Sequence, residues 1–137
     1  MSRILIDTNI VIDLLSQREK FYDDAANLFS RADKKELELT ISSLTFANTN
    51  YILTKLKSAK KTREILRKFK VLVELLTLDD KITELALSDE NFQDFEDGLQ
   101  YYSAIENKVD VIVTRNKKDF KNSKIPVLTA KEFLALK

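Results

Sequence analysis

Residues 4–15, ILIDTNIVIDLL, decide how this chain folds. Residues 3–6 are short, apolar and β-prone, and Asp7-Thr8-Asn9 interrupts them before Ile10, Val11, Leu14 and Leu15 resume at helical spacing. The stretch reads as strand, turn, helix, with a carboxylate at the strand's carboxyl end. The same alternation continues outward. Periodicity predicts helices over 21–32, 44–56, 62–69, 80–87 and 97–107, and strands over 37–41, 71–75, 109–113 and 127–128. Thr129 and Glu132 have the spacing of a capping box, which opens a terminal helix. Strands as apolar as 109–113 do not tolerate water on either face, so the pattern predicts a three-layer α/β/α sandwich with a mostly parallel central sheet. The only proline is Pro126, and no repeat or low-complexity linker occurs, so residues 1–137 are expected to form a single domain.

Composition removes whole classes of chemistry. There is no Cys and no His, which excludes disulfide scaffolds, Cys/His zinc sites, thiol nucleophiles and Ser/His/Asp triads. A single glycine, Gly98, excludes a P-loop and a Gly-rich dinucleotide fingerprint. Lys plus Arg number 23 against 22 Asp plus Glu, so the net charge of +1 leaves any nucleic-acid binding to local patches. One such patch is residues 55–70, with eight basic residues against one acid; residues 79–97 reverse this, with eight acids against one Lys. No stretch reaches the roughly 20 apolar residues that span a bilayer, and Asp7 interrupts any signal-peptide core. No membrane association is expected, and the location expected is cytoplasmic.

In a parallel α/β sheet the ligand site lies at the carboxyl ends of the strands. Asp7 ends the first strand there, and Thr114, Asn116 and Asp119 follow the strand over 109–113. Asp97 opens the helix before that strand, with Asp94 and Glu96 beside it. Carboxylates brought together repel one another, and either protonation or a hard cation relieves them. The cation is the favoured reading: Mg²⁺ or Mn²⁺ suits an all-oxygen site, with a coordinated water as the attacking nucleophile. Each acid also has a plainer role. Asp7 fits a helix cap, Asp97 a first-turn acid, and Asn116 and Asp119 turn formers. Asp13 is expected to face solvent.

Three strings, ILIDTNIVIDLL (4–15), DFEDGLQYYSA (94–104) and VIVTRNKKDF (111–120), together resemble the PIN domain, and within it the bacterial toxin ribonucleases of the VapC type. The resemblance spans nearly the whole chain and implies a doubly wound α/β fold, dependence on Mg²⁺ or Mn²⁺, and hydrolysis of RNA phosphodiester bonds. It also implies a small antitoxin protein as partner and assembly as a homodimer. By position its metal-site residues correspond to Asp7, residue 48, Asp97 and Asn116, with Asp119 close behind. In SSLTFANTNYIL (42–53) the family's usual acid is replaced by Asn48, which can accept a hydrogen bond but brings no charge and cannot act as a base.

The expected catalytic set is therefore Asp7, Asp97, Asn116, Asp119 and Asn48, with Asp7, Asp97 and Asp119 holding the metal. Thr8, Thr114, Arg115 and Lys117 are expected at the substrate, the hydroxyls positioning ligands or phosphate and the cations holding flanking phosphates. The alternative is a catalytically weak or degenerate PIN-like module that binds RNA or protein. An aspartyl-phosphate phosphatase ranks behind both, because residue 9 is Asn where such enzymes carry a second acid.

Overall fold

The computed structural model describes residues 1–136. Strand β1 (Ser2–Ile6) turns at Asp7 into helix α1 (Thr8–Leu15), followed by α2 (Tyr22–Asp33), β2 (Leu37–Ser42), α3 (Ser43–Leu56) and α4 (Ala59–Lys70). Strand β3 (Glu74–Leu76), α5 (Asp80–Ser88), α6 (Phe95–Glu106) and β4 (Val111–Val113) come next. A 3₁₀ turn (Lys117–Phe120), β5 (Val127–Leu128) and α7 (Ala130–Leu134) close the described chain. The strands lie in the order β3-β2-β1-β4-β5 and every pairing is parallel, with Ile4 opposite Leu39 and Val111.

Alternation along the central strands divides the core. Ile4, Ile6 and Val113 point to one face, where Ile10 and Val11 of α1, Leu28 and Phe29 of α2, Phe69 of α4 and Phe133 of α7 cover them. Leu5 and Ile112 point to the other, against Tyr101 and Ala104 of α6, with Phe92 and Phe120. Helix α5 packs on α6 through Ile82, Ala86 and Leu99. The sandwich expected from the alternation of elements is therefore present, with helices on both faces of the sheet.

Element ends differ from the periodicity in places. The apolar run 71–75 forms a strand only from Glu74, where pairing with Thr40 of β2 begins; Val71 belongs to the turn after α4 and is 83% exposed. The run 109–113 pairs only from Val111, because the Val109 amide turns back to the Ala104 carbonyl while Lys108 sits at φ 56°. Helix α4 starts three residues before 62, where the Ser58 hydroxyl accepts from the Lys61 amide. Thr129 and Glu132 form the expected capping box. Among the described residues no helix is long and apolar enough to cross a membrane.

Candidate active site

The carboxyl ends of β1, β2 and β4, and the amino ends of α1, α3 and α6, meet at one edge of the sheet. They enclose a cleft of about 300 Å³ lined by Asp7, Thr8, Asn48, Asp94, Glu96, Asp97, Asn116 and Asp119. Asp7, Asp97, Asp119, Asn116 and Asn48, drawn from four separate segments, thus share one cavity. The positive ends of three helix dipoles point toward it and partly offset the acids.

Asp7 stands at the foot of the cleft. Its carboxylate caps α1 by accepting from the Thr8 amide at 2.8 Å, so the plain role and the site role belong to the same side chain. The Thr114 hydroxyl donates to its other oxygen at 2.9 Å, and the Gln100 amide approaches at 3.4 Å. Beneath lies a buried polar layer: Gln100 also donates to the Thr45 hydroxyl and accepts from Ser42, tying α6 to β2 and α3. Burial pushes the Asp7 carboxyl above the ordinary carboxylate range, while the bonds from Thr114 and the Thr8 amide pull against that rise. Gln100 is a residue the sequence reading missed; its only signal was a polar side chain on the inward face of α6.

Asp97 is in the first turn of α6, which Asp94 caps through the Glu96 amide. Burial, then the charges of Asp94, Asp119, Asp7 and Glu96, push its carboxyl up to about 7. Asn48 on α3 donates to Glu96 at 3.1 Å, which places its amide against the acidic wall. Among the described residues no three acids meet closely enough to form a ready metal cage; they line the cleft instead. The donor set nevertheless suits a hard cation, since it is all oxygen, and burial together with the neighbouring acids makes a bare charge on Asp97 costly.

The residues expected at the substrate are placed differently from one another. Thr8 lines the cleft, 3.4 Å from the Thr45 hydroxyl. Thr114 is completely buried, donating to Asp7 and accepting from the Asn116 amide, so it orients the site and is shielded from substrate. Arg115 turns away and holds Asp13 with two bonds of 2.8 and 3.0 Å while its guanidinium stacks 4.0 Å from the centre of the Phe21 ring. Asp13, expected in solvent, is consequently 1% exposed. Lys117 pairs with Glu132 at 2.9 Å. The cation that does line the cleft is Arg18, from the loop after α1.

Residues 3–118 match the family model described as PIN domain, and the chain belongs to the PIN domain family. Within it, the chain is similar to the VapC ribonucleases. It is 27% identical over 135 residues to Ribonuclease VapC1 of Aquifex aeolicus (strain VF5), an alignment covering 96% of this chain and 92% of that protein. Its fold is similar to VapBC2 from Rickettsia felis bound to a DNA fragment from their promoter, with a TM-score of 0.67, 23% identity and coverage of 91% and 96% of the two chains. It is likewise similar to a toxin-antitoxin complex from Klebsiella pneumoniae, with a TM-score of 0.69, 24% identity and coverage of 93% and 97%.

Proposed function

We propose that this protein is a divalent-metal-dependent endoribonuclease that hydrolyses RNA phosphodiester bonds as the toxin of a type II toxin–antitoxin pair. The observation that carries the reading is the gathering of Asp7, Asp97 and Asp119 in one cleft at the strand ends, in a chain of the PIN family. Its likeness to a protein named a ribonuclease supports the reaction, and its likeness to a toxin-antitoxin complex supports a small antitoxin protein as partner. The same reading places it in the cytoplasm as a homodimer.

Asp7, Asp97 and Asp119 would hold Mg²⁺ or Mn²⁺, with the amide oxygens of Asn48 and Asn116 as neutral supporting acceptors. The ion, when bound, supplies an activated water and positive charge beside the phosphate. Thr114 and Gln100 fix the Asp7 carboxylate before substrate arrives, which removes a reorganisation cost at the moment of reaction. Arg18 stands at the cleft to hold a flanking phosphate, and the amino ends of α1, α3 and α6 ease the entry of an anion into an acidic cavity.

The test is cleavage of RNA with and without Mg²⁺ or Mn²⁺. Cleavage should require the cation and disappear in Asp7→Asn and Asp97→Asn with the fold intact by circular dichroism. Activity that survives both substitutions would sink the proposal. A non-catalytic binding module is the second reading, favoured by Asn48 where the family carries an acid; it predicts negligible Mg²⁺ or Mn²⁺ binding by calorimetry.

A further inference from the structure

We propose that the stripe of α3 from Asn48 to Lys55 is a track for single-stranded RNA beside the cut, with one base stacked on Tyr51 and the following phosphates held by Lys55 and Lys57. The inference rests on RNA being the substrate and names where the strand leaves the cleft.

Three observations converge on this stripe. Leu44, Asn48 and Ile52 of α3 line the cleft, and Lys55 lies seven residues beyond Asn48, two turns and roughly 10 Å along the same face. The face is therefore continuous with the site. Tyr51, between them, is 64% exposed, and the Lys55 ammonium rests 4.2 Å from the centre of its ring. An aromatic ring left in water and braced by a cation is a stacking platform, and base stacking tolerates any sequence. Finally, residues 54–61 are exposed without exception and carry Lys55, Lys57, Lys60 and Lys61 with no acid among them. Asp94 and Glu96 on the α6 side repel a phosphate backbone, so a strand emerging from the cleft is steered toward α3. A partner protein or a second copy would also cover an exposed tyrosine, but neither accounts for a cationic stripe that starts at the metal-site residues.

The experiment measures binding of a dye-labelled ten-nucleotide RNA by anisotropy in EDTA, alongside steady-state cleavage of the same RNA in Mg²⁺. Tyr51→Ala should weaken binding and raise KM roughly tenfold while leaving kcat unchanged, and Tyr51→Phe should restore both. Lys55→Gln with Lys57→Gln should lower the slope of log affinity against log salt by roughly 1.4, two contacts at about 0.7 each. The tyrosine is exposed, so unfolding temperatures should not move. Wild-type affinity and salt slope in these variants would overturn the track even if cleavage is robust. It is equally overturned if Tyr51→Ala changes the mass by light scattering and leaves RNA affinity untouched, which would assign the stripe to contact between copies. If the wild type binds RNA through Tyr51 but never cleaves it, the nuclease reading fails and the track stands.

Discussion

The Thr114 hydroxyl holds three groups at once: it donates to Asp7 and accepts from the Asn116 amide and the Asn9 side chain. Thr114→Val keeps the shape and deletes all three bonds, leaving the Asn116 amide without this partner and the Asp7 carboxylate without its hydroxyl donor. The expected cost is about 1–3 kcal/mol of stability by urea titration, with kcat reduced at least roughly tenfold and KM little changed; an unaltered kcat would remove the orienting role. Asn48→Asp sets a carboxylate beside Glu96, so it should tighten Mn²⁺ binding by calorimetry while lowering the unfolding temperature in EDTA. Weaker Mn²⁺ binding would contradict the assignment of position 48 to the metal site. Asp7, Asp97 and Asp119 were legible because each follows a recognisable strand or helix boundary. Asp13 was not, since its partner Arg115 is 102 residues away and only the folded sheet brings them together. Asp13→Ala, which takes the buried carboxylate away from the part-buried Arg115 guanidinium, should cost about 2–3 kcal/mol.

At the level of the elements, the sequence marks interiors better than ends. The helix interiors follow the apolar period, yet β3 and β4 shrink to three residues each because a strand lasts only as long as a neighbour pairs with it. No local pattern announces that limit. Caps are the exception: Thr129 with Glu132 is readable from spacing, whereas Ser58, which extends α4 toward the tip of the α3–α4 hairpin, has Lys61 where a capping box carries Glu or Gln. Ser58→Ala should therefore cost about 1 kcal/mol in chemical denaturation. It should also loosen residues 58–61 in hydrogen exchange, and protection equal to the wild type there would argue against the cap.

For the whole molecule, charge is stored where chemistry is expected. Asp97 rises from 3.8 to about 7 in the folded state, so the native protein binds this proton more tightly than the unfolded chain does. The resulting stabilisation is complete below about 4 and is lost as pH rises through about 7. Asp7 acts in the same direction. The unfolding temperature in EDTA should consequently fall between about pH 4 and pH 7 and level off above, where Mn²⁺ should restore it. A flat profile would show that the acids do not strain the fold. The sheet that carries this strain ends in β3 and β5, of only three and two residues. Such stubs expose almost no unsatisfied ladder on which a stray chain could align, so concentrated stocks should stay clear of cross-β filaments even at the alkaline end, where the fold loosens.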